Sequence, residues 1–394
     1  MVASIRDGYK NSELGIIPES WGIQSVDDVV SIKTGSRNTQ DKDSDGIYPF
    51  FVRSQNVEAI TSYGFDCEAV LTAGDGVGTG KIFHYINGKF DAHQRVYVMS
   101  DFSDDILGRY FYLVFKSGFY DRIMQMTAKS SVDSVRREMI ADMLLRLPSI
   151  AEQTAIAEAL TDADEAIRSL EAVIAKKRDV KQATLHTLLT PTRRLPGFSG
   201  EWQEKRLKEL CYEISDGTHY TPNYVEHGVP FYSVENVTTD EFQKTRYITR
   251  EEHQRLIKRC KPEFGDILMT RIGSIADTKL INWEVDASIY VSLALLKVNS
   301  AIVPDYLYAY TKTKMFITSA EDRSLLNAIP KKINMNEIGN IPIPVPARDE
   351  QIAIATILSD MDVEIESLET RLDKLRDIKQ GMMQVLLTGK VRLI

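Results

Sequence analysis

Two long stretches of the chain carry apolar residues at alternating steps of four and three. The first runs Ile156, Leu160, Ala163, Ile167, Leu170, Ile174 and the second Ile354, Leu358, Met361, Ile365, Leu368, Leu372, Leu375. This spacing draws one apolar stripe along a helix, the a/d seam of a coiled coil, with Glu, Asp, Lys and Arg on its flanks. Each stripe opens after a proline, Pro148 or Pro346, with acidic residues in the first turn, where the helix dipole is positive. Neither contains an internal proline. A helix of this length spans about 57 Å, longer than an ordinary domain is wide. Such a rod cannot bury its own stripe, so the two stripes are expected to pack on each other. Ile156, Leu160, Ile167, Leu170 and Ile174 then meet Ile354, Leu358, Ile365, Leu368 and Leu372 in the spacer seam.

The two stripes are copies of one sequence. At an offset of 198, residues 152–190 match residues 350–388 at 20 of 39 positions without a gap. Glu152 and Gln153 recur as Glu350 and Gln351, Lys181 and Gln182 as Lys379 and Gln380, and both copies close on "LLT". A period this long signals duplication of a whole domain rather than a solenoid repeat.

Before each helix the pattern changes. "RVYVM" at 95–99 and "SIYVSLALLKV" at 288–298 are β-branched and aromatic runs between Gly, Asp and Asn turns, and read as strands. "LGIIPESWGIQSVDDVVSIKTG" at 14–35 parallels "LPGFSGEWQEKRLKELCYEISDG" at 195–217, and "YPFFVRSQNV" at 48–57 echoes "VPFYSVENV" at 229–237. "PTRRLPGFSG" at 191–200 is a Pro- and Gly-rich linker. The expectation is an α+β chain in which two similar mixed α/β globules are separated by two long helices. The first globule covers residues 1–147 and its helix 148–190; linker and second globule cover 191–346, and the second helix and tail 347–394. Two like halves joined through equivalent helices favour a pseudo-two-fold arrangement with the helices antiparallel and one globule at each end.

Composition narrows the function. A length of 394 residues exceeds what one core normally organises, and 43% hydrophobic with 26% charged residues is ordinary for a globular chain. No segment approaches the roughly 18 apolar residues of a membrane span, and "MVASIRDGYKNSELG" lacks the apolar core of a secretory signal, so a cytoplasmic, membrane-free protein is expected. Cys67, Cys211 and Cys260 lie far apart without CxxC spacing, which indicates neither a disulfide framework nor a zinc site. The net charge is −8 and no segment is a basic tail. Any contact with DNA must come from local clusters or be shared with a partner.

"GDGVGTGK" at 74–81 resembles a phosphate loop but fails it. The glycine required five positions before the final Gly-Lys pair is Asp75, and the required Ser or Thr after it is Ile82. The dinucleotide fingerprint fails too, at Thr79 and Lys81. A tight hairpin turn and a close approach of amides and one ammonium to an anion both fit the segment. The six histidines show no metal-ligand spacing, and no nucleophile, paired carboxylate or methyl-transfer loop stands out. No cofactor and no metal are expected, and chemistry would lie on another chain.

"ISDGTHYTPNYVEHGVPFYSVENV" at 214–237, "FGDILMTRIGSIADTKLI" at 264–281, "NGKFDAHQRVYVM" at 87–99 and the two proline-led "EQ" helices together resemble the DNA specificity (S) subunit of type I restriction-modification systems. The resemblance covers essentially the whole chain. It implies two target recognition domains, an antiparallel coiled-coil spacer, no catalysis by this chain, and an assembly of double-stranded DNA, two methylation (M) subunits and restriction (R) subunits. It also marks the neighbourhoods of DNA contacts: Arg37, Arg53, Gln55, Asn56, Thr79, Lys81, His93, Gln94 and Arg95 in the first domain, and Thr218, His219, Tyr220, Ser233, Asn236, Thr270, Arg271 and Lys279 in the second. Lys331 and Lys332, at the end of the second domain, suit a phosphate contact, while "KKR" at 176–178 suits a solvated helix face. The equivalent stretch of the first half, "VDSVRREM" at 132–139, has its basic pair a few residues later, at Arg136 and Arg137. Two other readings compete: a coiled-coil scaffold joining two protein-binding globules without DNA, and an unrecognised enzyme using Asp75 or Asp266.

Overall fold

The computed structural model describes residues 6–126, 134–191, 193–325 and 327–393. It divides into two compact units, one of residues 1–171 with 370–394 and one of residues 172–369. Each long helix therefore contributes one part to each unit.

In the first unit a six-stranded sheet is built from β1 (Ser31–Thr34), β2 (Tyr48–Phe51), β3 (Glu58–Ile60), β4 (Phe65–Ala73), β5 (Phe83–Ala92) and β6 (Val96–Ser100), in the order β1-β6-β4-β5-β2-β3. All neighbours are antiparallel except β2 and β5, which run parallel with Phe50 opposite Asp91. Helix α1 (Gly108–Met126) lays Phe111, Phe115 and Phe119 on the sheet, all fully buried. Burying an aromatic ring of this kind is worth a few kcal/mol, and truncating one to Ala costs about 3–5 kcal/mol. The predicted strand at 95–99 is β6.

The second unit repeats this plan with one break. Strands β7 (Cys211–Asp216), β8 (Tyr224–Val225), β9 (Val229–Tyr232), β10 (Arg246–Ile248), β11 (Ile267–Thr270), β12 (Thr278–Leu280), β13 (Ser288–Ile289) and β14 (Leu293–Val298) form two four-stranded sheets, β7-β14-β11-β12 and β8-β10-β9-β13. The parallel pair returns as β9 with β13, with Phe231 opposite Ser288. What is one strand in the first unit, β5, is here β12 and β13, because residues 281–287 leave the ladder between them. The continuous apolar run at 288–298 likewise divides into β13 and β14 at a turn in which the Leu293 amide donates to the Tyr290 carbonyl. Sequence shows that run as one strand because its apolar character does not drop at the turn.

The long helices are α2 (Ile150–Leu188) and α3 (Arg348–Leu386). In the first unit Arg376 pairs with Glu171 at 2.6 Å and Lys379 with Asp164, so the later part of α3 runs antiparallel to the earlier part of α2. In the second unit Lys177 pairs with Glu364 at 2.6 Å, Arg178 with Glu369 at 2.5 Å and Lys181 with Asp362. Two of these pairs are the same pair shifted by 198: Lys379–Asp164 with Lys181–Asp362, and Arg376–Glu171 with Arg178–Glu369. The seam residues Ile156, Leu160, Ile174, Ile354, Leu358, Ile365 and Leu372 are buried, and Ile167, Leu170 and Leu368 are half-buried. Lys177 and Arg178 of the "KKR" cluster thus serve the helix pairing.

The duplicated Glu-Gln opening has a physical cause. Glu152 and Glu350 are fully buried. Glu152 accepts the indole N–H of Trp21 at 2.9 Å and both Nε and Nη2 of Arg392, the latter at 2.7 Å. Glu350 accepts the indole N–H of Trp202 at 3.2 Å and Arg194 Nε and Nη2 at 2.6 Å each. Beside them, Gln153 Oε1 accepts the Leu107 amide and its Nε2 donates to the Asp105 and Pro148 carbonyls. Gln351 does the same with the Val303 amide and the Ala301 and Pro346 carbonyls. A buried carboxylate and a buried amide are tolerated only when fully hydrogen-bonded, and here their partners come from the globule and from the segment that follows a long helix. The pair welds each helix start to its globule. In the linker, Arg194 is therefore a clamp residue; Thr192 lies outside the described residues.

Candidate nucleic-acid interface

Both globules carry a loop cluster where a glycine lets two backbones touch. A Cβ on Gly35 would lie 1.9 Å from the Ala92 carbonyl oxygen, and one on Gly217 would lie 2.0 Å from that of Ile289. Only glycine fits such an approach. Just beyond each glycine a parallel bridge forms, Arg37 with His93 and Thr218 with Tyr290.

In the first unit this crossing gathers residues distant in sequence. The Gln94 amide donates to the Arg37 carbonyl, and its side chain donates to Asn38 at 2.8 Å. Arg37 is half-buried; its Nε donates to buried Asp91 at 2.9 Å and its Nη2 to Ser62 at 2.9 Å. Arg53 and Arg95 flank Asp75, at 2.9 and 3.8 Å, and both guanidiniums are exposed. Gln55 and Asn56 are exposed beside Arg53. His93 is buried, and its Nδ1 accepts the Arg95 amide at 3.0 Å. Burial, with Arg53 nearby, holds its pKa below the usual imidazole value, so it is a neutral turn former at neutral pH. In the 74–81 loop the buried Thr79 hydroxyl donates to the Gly76 carbonyl at 2.5 Å, and exposed Lys81 lies 4.8 Å from the Tyr120 ring centre. The loop is the β4–β5 hairpin turn.

In the second unit Thr218 is buried and caps the turn that presents His219 and Tyr220, both exposed. The Tyr220 hydroxyl donates to Glu252 at 2.5 Å, which raises its pKa. Ser233 and Asn236 form the cap of a short helix (Val234–Thr239): Asn236 Oδ1 accepts the Ser233 amide at 2.9 Å, and its Nδ2 donates to the Glu241 carbonyl. Thr270 is fully buried, its hydroxyl accepting the Asp277 amide at 3.0 Å. Arg271 is also buried, donating to Asp216, Val291 and Ile333. Lys279 pairs with Asp240 at 2.5 Å. Lys331 is exposed and Lys332 half-buried; the Lys331 carbonyl accepts the Gly273 amide, and Lys332 bridges Ile272. The residue that fills the place of Lys332 in the first unit is Ser134, which bridges Asp75. Arg136 instead precedes a short helix, and Arg137 pairs with Asp27 at 2.5 Å. Val132 and Asp133 lie outside the described residues.

The sequence singled out neither Asp216 nor Arg259, whose Nη2 lies 2.5 Å from Asp216. Nothing in the spacing of "IKRC" at 257–260 marks Arg259, since Asp216 stands 43 residues earlier. Lys244 and Arg246 also line a cleft with Ser233 and Asn236 that only strand pairing assembles. Among the described residues no group of His, Cys, Asp and Glu could hold a metal ion, and no helix is long and apolar enough to cross a membrane.

Two related globules, each edged by loops rich in guanidinium, amide and ammonium groups and each clamped to its own copy of one helix, define a duplicated DNA-recognition chain. The chain belongs to the type I restriction modification DNA specificity domain family, whose pattern matches residues 18–176 and 199–377. It is 23% identical to the type I restriction enzyme EcoDI specificity subunit of Escherichia coli, over 91% of this chain and 85% of that one. It is 22% identical to the MjaVIII specificity subunit of Methanocaldococcus jannaschii, over 95% and 94%. A solved S subunit from M. genitalium superposes with a TM-score of 0.65 at 17% identity, covering 93% of this chain and 96% of that one, which supports the fold. The chain is a DNA-specificity subunit of a type I restriction-modification system, the recognising rather than the catalytic member.

Proposed function

We propose that the two globules, residues 1–147 and 191–346, read the two halves of an asymmetric split target, while the helices at 148–190 and 347–394 set the unread gap between them. The carrying observation is the paired loop cluster: the same glycine crossing in both units, edged by different side chains. Arg37, His93 and Gln94 stand where Thr218, Tyr290 and Val291 stand in the other unit. The same plan with different readers gives two different half-sites, because each base pair shows its own donor and acceptor pattern in the major groove.

The exposed Arg53, Gln55, Asn56, Lys81, Gln94, Arg95, His219, Tyr220 and Lys331, with the half-buried Arg37 and Lys332, are the proposed DNA contacts. Lys279 joins them on exchanging Asp240 for a phosphate. Thr79, His93, Thr218, Ser233, Asn236, Thr270 and Arg271 shape the loops from within. At a net charge of −8 the isolated chain grips phosphate weakly, because counterion release by Lys and Arg supplies most non-specific affinity. Two methylation subunits closing around the duplex supply the remaining phosphate contacts, and restriction subunits add to that assembly.

Genome-wide mapping of methylated adenine with and without this gene tests the reading. Loss of methylation at one split motif with a fixed gap is expected on deletion. An unchanged pattern in cells that express active methylation subunits would sink it.

A further inference from the structure

The second globule holds a buried carboxylate with more cations than it can neutralise. Asp216, at the end of β7, is 6% exposed. Its Oδ1 accepts Arg259 Nη2 at 2.5 Å, and its Oδ2 accepts Arg271 Nη1 at 3.2 Å and His219 Nε2 at 3.0 Å. Arg271 is buried, bonded also to the Val291 and Ile333 carbonyls, and by itself balances the Asp216 charge. Arg259 and His219 differ: their side chains are 59% and 60% exposed. One guanidinium is therefore held at the surface in surplus, by a buried and hydrogen-bonded anchor.

A charge placed this way has a chemical use. An exposed arginine alone samples many rotamers and loses that freedom when it binds, whereas one fixed by a buried acceptor has already lost it. With Nη2 bound to Asp216, its remaining N–H groups form a planar fork that matches O6 and N7 of guanine. The first unit uses the same device, with buried Asp91 under Arg37 and Asp75 between Arg53 and Arg95.

The geometry points to Arg259 as a guanine-reading residue of the second half-site and to Asp216 as the residue that positions it. This rests on the reading of the chain as a DNA-specificity subunit. Arg271 is the structural counter-charge, and His219 Nε2, 3.0 Å from Asp216 Oδ2, lies 3.4 Å from Arg259 Nη2 beside the guanidinium.

The test uses the full chain in its native host, with methylation mapped in strains carrying Arg259→Ala, Arg259→Lys or Asp216→Asn. Arg259→Ala should relax the requirement for guanine at one position of one half-site by about tenfold to a hundredfold, leaving the other half-site unchanged. Arg259→Lys keeps the charge and loses the fork, so it should relax the same position. Asp216→Asn should relax that position with Arg259 present. If Asp216→Asn prevents accumulation of the chain, the two Arg259 variants decide the matter.

Competition binding by the purified complex separates the other outcomes. If Arg259→Ala weakens binding to all sequences equally and lowers the salt slope by about one, Arg259 contacts a phosphate and the assignment is overturned. A wild-type motif without a guanine in either half-site also overturns it. If the wild-type complex selects no sequence, the reading of the whole chain fails; if it selects one and Arg259→Ala changes nothing, only this inference fails.

Discussion

Arg194 binds Glu350 through Nε and Nη2, each 2.6 Å from its own carboxylate oxygen, and Arg392 grips Glu152 through the same two nitrogens in the other unit. The two arginines stand 198 residues apart, as the two glutamates do. One follows α2 and the other follows α3, so each clamp uses the segment after the helix that its glutamate does not begin. Glu350→Gln removes the charge that holds both guanidinium nitrogens and should lower the urea midpoint more than Asp362→Asn, whose partner lies on the helix surface. The neighbouring Gln351→Leu strands the half-buried Val303 amide and the Ala301 and Pro346 carbonyls, and should cost about 1–3 kcal/mol in equilibrium unfolding.

The spacer makes a geometric prediction. Adding one heptad to each long helix lengthens it by about 10.5 Å. At about 3.4 Å per base pair, the unread gap of the selected motif should widen by roughly three base pairs. A methylation map showing the original gap in cells carrying the doubly extended chain would exclude a ruler.

Lys331 is exposed and has no side-chain partner among the described residues, which suits a phosphate contact. Lys331→Ala should weaken binding of target and non-target duplexes alike and reduce the slope of log affinity against log salt by about one. Filter-binding titrations across a salt series measure both quantities. A change in the recognised motif would instead make Lys331 a base reader.

Acid sensitivity follows from Glu263. Hydrogen bonds from Lys297 and Lys261 hold its carboxyl down at about 2, against an ordinary value of 4.5. The folded state thus binds its proton less readily than the unfolded chain. The stabilisation is fully present above about pH 4.5 and is lost as pH falls through about 2. Thermal melts of the wild type and of Glu263→Gln should converge on acidification across that window. About half of the Glu263 side chain is exposed, so added salt should shrink the difference.

The sequence and the structure agree where the physics is local or duplicated. Helical spacing, the proline-led starts and the offset of 198 expose both long helices, since each depends on neighbours along one chain segment. The meaning of Glu152 and Gln153 is not legible from spacing, because the Glu152 partners Trp21 and Arg392 lie 131 and 240 residues away and the Gln153 partners Leu107 and Asp105 lie 46 and 48 residues away. Loop chemistry is harder still. Thr270 and Arg271 sit in a turn-like, polar stretch and look exposed, yet strand β11 carries them into the interior; Arg259 looks like one more helix-end cation until Asp216 is brought beneath it. The displacement of the basic pair at 136–137 follows from strand register, which sets Ser134 and not an arginine opposite Asp75.

The Glu-Gln clamp asks little of the globule it holds: an indole N–H, a backbone amide and two carbonyls. None of these requires a given side chain on the loops that edge the recognition surface. Selection can therefore rewrite those loops, or replace a whole globule by an unrelated one that offers the same few groups, without retuning the helix beneath. The duplicated part of the molecule is a socket, and new specificity can arise by exchange of what is plugged into it.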